Sequence, residues 1–293
     1  MGARERLRRL RFGLSTLLGF GRRGFFIPYR HADGVTPAGS RPRYAAISNV
    51  FRAHEGAFGA VLHAIEGFGA DLFGIGAQSS EAEGPRPAPR FDQSWFPPLD
   101  AAAAYALVRE RKPARIVEVG SGHSTRFLAR AVHDGELQTP ITTWDPAPRA
   151  VLDGLTAGGK PVEWIRATVQ EAGHGIADEL EAGDILFIDS SHILMPGSDV
   201  DILFNHVLPM LPAGVIVHIH DVFLPDDYPA EWDWRGYNEQ LGVIPMLLGG
   251  AWTPIFASHY VETRMTAPLA ATLIARLPNP EGAPSTSLWL QKA

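Results

Sequence analysis

Cysteine is missing altogether from this chain of 293 residues. Its absence excludes disulfide bridges, thiolate metal sites and cysteine nucleophiles. A chain without disulfides is compatible with a reducing compartment, and we expect a cytoplasmic location. The remaining composition, 45% hydrophobic and 20% charged, is typical of a globular protein with ample material for a buried core.

Long apolar runs are missing as well. No run reaches the roughly 18 residues that a membrane-spanning helix needs. Arginine interrupts the leucines near the start of the chain too often for a secretory signal sequence. The sequence therefore predicts no transmembrane segment.

Acidic residues are scarce at the start of the chain. Residues 1–30 hold eight arginines against one glutamate, a net charge of +7, so the remainder carries −13 to give the total of −6. The leucines there recur every three or four residues, which predicts an amphipathic helix with arginine on its other side. We expect this helix to dock its leucines on the rest of the protein, and peripheral contact with an anionic membrane surface is the alternative. The leucines are Leu7, Leu10, Leu14, Leu17 and Leu18.

A segment rich in proline and glutamate divides the chain. It covers residues 78–100, includes GPRPAPR and predicts a linker or a long loop. We therefore predict a basic, helical extension with its linker over residues 1–90, with a helix at 48–66, and a main domain over residues 91–293.

From residue 101 onward, short apolar runs rich in β-branched residues alternate with helical patterns. This alternation predicts an α/β fold with a doubly wound, mostly parallel seven-stranded sheet and helices on both faces. The predicted strands are RIVEVG, ITTWD, VEWI, DILFID, GVIVHIHD, PIFASHYV and SLWLQ. The predicted helices are AAAAYALVRERK, STRFLARAVHD, PRAVLDGL, SDVDILFNHVLPML and NEQLGVIPMLLG.

The first predicted strand runs into a short glycine loop, Glu118-Val119-Gly120-Ser121-Gly122, and a helix is expected from about Ser124. Glycine permits a close approach that a side chain would block, and the start of a helix offers unpaired N–H groups to a polar ligand. Asp145 stands at the end of the second predicted strand, 23 positions after Gly122. A carboxylate there accepts hydrogen bonds from ribose hydroxyls. The combination predicts a nucleotide-like cofactor site.

These motifs resemble those of the class I S-adenosylmethionine-dependent methyltransferases, which have a Rossmann-like fold. VEVGSGHS matches the family's acidic-x-Gly-x-Gly-x-Gly motif with Ser124 at the third glycine. The resemblance implies that S-adenosylmethionine is the cofactor, that Glu118 fixes the loop and that Asp145 holds the ribose. It also implies that the loop after the third strand contacts adenine, with Gln170 as the candidate. The implied cofactor residues are Glu118, Gly120, Ser121, Gly122, Ser124, Asp145 and Gln170.

Four polar residues follow the fourth and fifth predicted strands: Asp189, His192, His220 and Asp221. The carboxyl ends of such strands are where open α/β sheets bind ligands. If the two strands are neighbours, Asp189 and Asp221 share a divalent cation, Mg²⁺ or Mn²⁺, with His220 as a further ligand. His192 is the candidate general base, because imidazole accepts a proton near neutral pH. His218 is expected to be a hydrogen-bonded core residue, whereas for His220 a core role and a site role are equally favoured.

The Asp-x-x-His spacing from Asp189 to His192 resembles the small-molecule O-methyltransferases of the sugar and catechol type. The resemblance implies methyl transfer to the hydroxyl of a small molecule, with divalent-metal assistance. His220-Asp221 departs from the acidic pair of the metal-dependent sugar enzymes.

Two other functions remain open. One is an NAD(P)-dependent oxidoreductase, although its longer glycine motif would need glycine where Thr125 stands. The other is a non-catalytic nucleotide-binding scaffold recruited by the basic N-terminal arm. The net negative charge of residues 31–293 argues against nucleic acid as a partner. The N-terminal extension is expected to cover the acceptor pocket or to form a homo-oligomer contact.

Overall fold

The computed structural model describes residues 3–77, 87–148, 152, 154–279 and 282–293. The chain forms two compact units, one of residues 1–43 with 226–237 and one of residues 44–225 with 238–293. This division does not coincide with the boundary predicted at residue 90, which stays a prediction. Part of the predicted linker, residues 78–86, and half of the predicted helix PRAVLDGL, residues 149–151 and 153, lie outside the described residues.

Within the described residues of the larger unit, seven strands form one sheet in the order β5-β2-β1-β6-β7-β9-β8. Every pairing from β5 to β7 is parallel, and β9 is antiparallel to both β7 and β8. The strands are β1 (Ile116–Val119), β2 (Ile141–Trp144), β5 (Glu163–Ile165), β6 (Ile185–Ile188), β7 (Ile216–Ile219), β8 (Trp252–Ala257) and β9 (Leu288–Lys292). All seven predicted strands are present, and the predicted Rossmann-like fold is confirmed.

The central strands are buried along their whole length. All residues of β1, β6 and β7 are buried, as the near-continuous apolar runs predicted. The predicted strand PIFASHYV is shorter than expected, because its second half forms a helix from Ser258. A small hairpin of β3 (Thr156–Ala157) and β4 (Lys160–Pro161) precedes β5 and was not predicted.

Helices surround this sheet. Pro98 at the first turn suits the start of the buried helix that precedes β1, because proline has no N–H to leave unpaired there. The α-helices of the larger unit are α2 (Ala45–Ala53), α3 (Glu55–Gly67), α4 (Gly69–Ala77), α5 (Pro98–Arg111), α6 (His123–Asp134), α7 (Val169–Ala172), α8 (Asp199–Ile202), α9 (Gln240–Leu248), α10 (Ser258–Arg264) and α11 (Thr266–Ala270). A π-helical turn, Leu203–Val207, continues α8.

Helices α2 and α3 belong to the core of the sheet domain. Phe51 and Phe58 are fully buried and meet Phe256 and Tyr260 edge-on, with ring centroids 5.6 to 6.1 Å apart. Each such aromatic side chain stabilises the fold by roughly 1.5 to 3 kcal/mol through burial. These contacts explain why residues 44–77, predicted as part of an extension, share a compact unit with the sheet.

The smaller unit contains the predicted amphipathic helix, α1 (Ala3–Leu17). Two of its loops are joined by an ion pair of 3.0 Å between Arg41 Nε and Asp227 Oδ2. The guanidinium of Arg235 lies over the ring of Trp232, 3.9 Å from its centroid. The five leucines of the predicted apolar side are 47% to 68% exposed, so their expected burial is not seen.

Among the described residues, no single helix has the length and apolarity to cross a membrane. The consecutive helices α3 and α4 pass such a test together by length and composition alone, and they are bent by 66° at their junction.

The turn after β1 packs tightly against the end of β6, and this packing generates a prediction about Gly120. Its φ is +80°, and an added Cβ would lie 1.9 Å from the backbone oxygen of Asp189. We therefore expect Gly120→Ala to lower the free energy of unfolding by at least about 2 kcal/mol. Denaturant unfolding followed by circular dichroism measures this change.

Gly122→Ala is the matched control for this test. Gly122 lies in the same loop, has an extended φ of 175°, and has no atom within 4 Å of an added Cβ. Its alanine variant should unfold close to the wild-type midpoint. Equal stability of the two variants would contradict the proposed role of the close approach.

Candidate functional site

The glycine loop lies at the carboxyl end of β1, as predicted. The backbone N–H of Gly120 donates to the carbonyl of Trp144, so the loop is tied to the end of the neighbouring strand β2. Helix α6 follows at once, and the space beside Gly122 is open. The loop therefore presents free volume and the start of a twelve-residue helix on the same side.

Glu118 stabilises this loop from the interior of the protein. Its carboxylate is fully buried and accepts hydrogen bonds from the hydroxyls of Ser124 and Thr125, both at 2.7 Å. The Thr125 hydroxyl in turn accepts the N–H of Gly122 at 2.9 Å. Burial raises the pKa of Glu118 to about 7, although these hydroxyls oppose the shift. Glu118 and Ser124 thus support the loop from inside the protein.

Asp145 joins the end of β2 to the same loop. Its Oδ2 accepts the backbone N–H and the hydroxyl of Ser121, both at 2.8 Å, and its Oδ1 accepts the N–H of Ala147 at 2.7 Å. The structure therefore brings Asp145, Ser121 and the two glycines together.

Gln170 lies in the short helix α7, after β5, and not in the glycine loop. It is exposed at the start of α7, where Thr168 and Glu171 form a capping box, and its amide donates to the carbonyl of Gly197 at 3.3 Å. The predicted adenine contact of Gln170 stays a prediction.

The second predicted cluster lies at the ends of β6 and β7, which are parallel neighbours as expected. The N–H of Asp189 donates to Val119 at the end of β1, and the N–H of His220 donates to Ile188 at the end of β6. Because Gly120 contacts the backbone of Asp189, the loop and the cluster share one edge of the sheet.

His192 is the centre of this cluster. Its Nε2 lies 3.3 Å from Oδ1 of Asp189 and 3.3 Å from Oδ2 of Asp221. Its Nδ1 lies 2.7 Å from Oε2 of Glu239. His192 and Asp221 both have positive φ, 62° and 56°, a conformation that non-glycine residues rarely adopt. One buried imidazole is thus surrounded by three carboxylates.

The carboxylates change the proton affinities within the cluster. Burial alone would lower the pKa of His192, but Asp221, Asp189 and Glu239 raise it well above its ordinary value. Burial would raise the pKa of Asp189, but His220 and His192 lower it to about 2. Burial raises the pKa of Glu239, which is 1% exposed. At neutral pH these directions favour an imidazolium at His192 beside an ionised Asp189.

This geometry does not fit the predicted metal site at Asp189, His220 and Asp221. The imidazole of His192 occupies the place between Asp189 and Asp221 that a shared cation would need. His220 Nε2 instead lies 3.2 Å from the backbone oxygen of Trp95. Among the described residues, no group of three or more histidine, aspartate and glutamate side chains is arranged to hold a metal ion. The raised pKa of His192 favours an imidazolium, whose positive charge lies where the cation was predicted.

The two histidines of β7 differ in their surroundings. His218 is fully buried, stacks on Phe187 with centroids 3.6 Å apart and is hydrogen-bonded to Ser287, as expected of a core residue. His220 is near the cluster, where Asp189, Asp221 and Asp100 outweigh its burial and raise its pKa. His220 is therefore linked to the site by charge and not by direct ligation.

Two site residues were missed by sequence reasoning. Glu239 reaches His192 from the start of α9, 47 residues further along the chain. Asp100, on α5, is fully buried and accepts the backbone N–H groups of Thr286 and Ser287 at 2.9 and 3.1 Å. The hydroxyl of Thr286 then donates to Asp221. In the sequence, each of these two positions is simply an acidic residue next to an apolar helix pattern. That signal does not distinguish a site residue from a solvated one.

The raised pKa of Glu118 generates a prediction about stability and pH. The folded protein keeps the Glu118 proton between its ordinary pKa of 4.5 and about 7, whereas the unfolded chain loses it. This contribution to stability is therefore fully present below pH 4.5 and is lost as the pH rises through 7. Relative to Glu118→Gln, the wild type should lose about 3 kcal/mol between these limits. Denaturant unfolding of both proteins across this range measures the difference, and parallel pH profiles would contradict it.

The position of His192 generates a prediction about metal affinity. We expect weak binding of Mg²⁺ or Mn²⁺ to the wild type, because the imidazole separates Asp189 from Asp221. His192→Ala leaves the carboxylates without their cation and should increase divalent affinity by about tenfold. Isothermal calorimetry measures both, with the exposed His206→Ala as control. Tight binding to the wild type, abolished by His192→Ala, would show that the site is a metal site after all.

Residues 117–222 match the family model described as "Methyltransferase domain". The matched stretch, about a third of the chain, runs from β1 through the glycine loop to Asp221 and so includes most of the site. The match confirms the prediction of a methyltransferase domain over this stretch. No curated protein sequence matches the chain.

Solved structures show weaker likenesses. The S-adenosylhomocysteine-bound methyltransferase PaMTH1 of Podospora anserina is 15% identical, with 92% of this chain and 99% of that chain covered and a TM-score of 0.42. A branched-chain polyamine synthase mutein of Thermus thermophilus, in complex with N4-aminopropylspermidine and 5'-methylthioadenosine, is 15% identical over 93% of this chain and 70% of that chain, with a TM-score of 0.43. The assignment of a methyltransferase domain to this chain rests on the family match and on the site.

Proposed function

We propose that the chain transfers the methyl group of S-adenosylmethionine to a hydroxyl of a small, uncharged acceptor. The observation that carries this proposal is the shared sheet edge, where Gly120 contacts the backbone of Asp189. This edge would join a cofactor site to an acid–base cluster within one methyltransferase domain. A cytoplasmic location and a homo-oligomer remain predictions.

The residues of the glycine loop fit an adenosyl cofactor. Gly122 leaves open space at the start of α6, and Asp145 stands at the end of the adjacent strand with its carboxylate oriented by Ser121. When bound, S-adenosylmethionine supplies an electrophilic methyl group on a sulfonium. Asp145 would accept the ribose hydroxyls, and Glu118 would keep the loop in place from beneath.

Positive charge lies next to this loop and favours the same ligand. Burial together with Arg126 and Arg90 lowers the pKa of His123, the first residue of α6, to about 4. His123 is therefore neutral at physiological pH, and the two guanidinium groups are the nearby cations. They would suit the carboxylate of a methionine moiety.

The histidine cluster would take the proton of the acceptor. Glu239 orients the imidazole through Nδ1, and Nε2 points between Asp189 and Asp221. During methyl transfer, Nε2 of His192 would take up the proton that the acceptor hydroxyl loses. Because the raised pKa of His192 favours a proton on Nε2 in the resting site, His192 would first release that proton to solvent and then accept the proton of the acceptor hydroxyl.

The charge of the cluster limits the class of acceptor. Three carboxylates surround His192, and two imidazoles with raised pKa values, those of His192 and His220, lie near them. Two imidazolium charges at most offset those of the carboxylates, so the cluster offers no net positive charge that would attract an anionic acceptor. Neutral sugars, phenols and catechols fit this requirement, and no step of the proposal needs a metal ion.

Two substitutions separate cofactor binding from catalysis. Asp145→Asn should weaken S-adenosylmethionine binding by about tenfold or more, because the charge that accepts the ribose hydroxyls is lost. His192→Asn should leave this affinity within about twofold of wild type but slow methyl transfer by roughly a hundredfold or more. Calorimetry measures the first effect. Transfer of a radiolabelled methyl group to a panel of neutral sugars, phenols and catechols measures the second.

The exposed Asp178→Asn is the matched control and should change neither quantity. Unchanged transfer by His192→Asn would remove His192 as the base. Binding of NADH in place of S-adenosylmethionine would favour the oxidoreductase alternative and contradict the proposal.

A further inference from the structure

The start of the chain carries a surface that the proposed catalytic function does not use. We call it the arginine arm, residues 3–30, which comprise α1 and the segment after it. Residues 1–30 hold eight arginines and one glutamate, although the chain as a whole is acidic. This separation of charge points to a partner with negative charge.

One side of α1 is apolar. At 100° per residue, Leu7, Leu10, Leu14 and Leu17 fall within an arc of about 80°. These leucines are 47% to 68% exposed. Arg6 and Arg11 border the arc on its two sides, at this same rotation per residue. A leucine stripe between two arginines is the pattern of a helix that lies along an interface between apolar and aqueous phases.

The segment after α1 adds further apolar surface. It folds back on the helix through hydrogen bonds from the hydroxyl of Ser15 to the carbonyl of Gly21 and from the N–H of Arg23 to the hydroxyl of Thr16. These bonds hold the start of the segment, up to Arg23, against the end of α1. The segment as a whole exposes Phe20, which is 84% accessible, and also Phe25, Phe26 and Ile27.

The two features together select one kind of partner. A nucleic acid or an acidic protein surface would pair with the arginines but leave the leucines and phenylalanines in water. Exposed apolar patches of this extent mark interaction sites. An anionic lipid surface satisfies both sets, because its headgroups attract arginine and its acyl boundary receives apolar side chains.

We propose that the arginine arm binds the surface of membranes that contain anionic lipid, with α1 lying in the plane of the interface. Leu7, Leu10, Leu14 and Leu17 enter the acyl boundary, and Arg6 and Arg11 extend to the headgroups. A helix of fifteen residues, about 22 Å long, is too short to span the bilayer and lies on it. The arm recruits the methyltransferase domain to that surface.

The test is co-sedimentation of the full chain with vesicles of phosphatidylcholine alone and of phosphatidylcholine with phosphatidylglycerol. We expect binding to the anionic vesicles, with little binding to the neutral ones and a decrease at high salt. Leu10→Asp combined with Leu14→Asp should weaken binding by at least about tenfold. Both leucines are exposed, so the thermal unfolding midpoint should not change.

Leu241→Asp combined with Leu248→Asp is the matched control, because these leucines of α9 are also exposed and the change in charge is identical. It should bind like the wild type. Arg6→Gln with Arg11→Gln should weaken binding by roughly fivefold per charge, and the corresponding lysine pair should restore it. Absence of binding to anionic vesicles, equal loss in both leucine pairs, or binding of RNA without binding of vesicles would overturn the proposal.

Discussion

The close approach of two backbones, at Gly120 and Asp189, determines how the rest of the site is arranged. The N–H of Asp189 donates to the carbonyl of Val119 at 2.8 Å, and any side chain at Gly120 would collide with the oxygen of Asp189. This contact joins the end of β1, which carries the glycine loop, to the end of β6, which carries the histidine cluster. Asp189 thus serves both halves, through its backbone on one side and its carboxylate on the other.

The second constraint is the cost of buried charge. Glu118, Asp100 and Glu239 are each almost completely inaccessible, and an unpaired buried carboxylate would cost several kcal/mol. Each has donors from a different part of the chain: hydroxyls of α6 for Glu118, backbone N–H groups before β9 for Asp100, and an imidazole for Glu239. The polar groups that cross-link the carboxyl edge of the sheet are therefore also those that shape the site.

Much of this arrangement could be predicted from the sequence, because central parallel strands are buried on both faces and are encoded as continuous apolar runs. The residues at the ends of those runs, Asp145, Asp189 and His192, were identified for the same reason. Glu239 and Asp100 could not be identified in this way. Their partners are distant in sequence, and a single acidic residue next to a helix pattern is ordinarily a solvated one.

The extent of the N-terminal extension was harder to predict for a related reason. Helical periodicity at residues 48–66 was visible, but nothing local showed that Phe51 and Phe58 pack against Phe256 and Tyr260, about 200 positions away. The second half of PIFASHYV was read as strand because tyrosine and valine favour β-structure. In the structure Tyr260 and Val261 are buried in the core as part of helix α10, so burial of these side chains does not require a strand.

The difference between the predicted metal site and the observed cluster depends on the backbone of one residue. Asp-x-x-His spacing shows only that two side chains lie near the end of a strand, and it does not determine the direction in which the histidine points. With a φ of 62°, His192 places its ring between the ends of β6 and β7, where Nε2 meets both aspartates and Nδ1 meets Glu239. An imidazolium there, which these carboxylates favour by raising the pKa of His192, offsets part of the negative charge that a divalent ion would offset. The residue with this positive φ thus places its imidazole where the sequence predicted a shared cation.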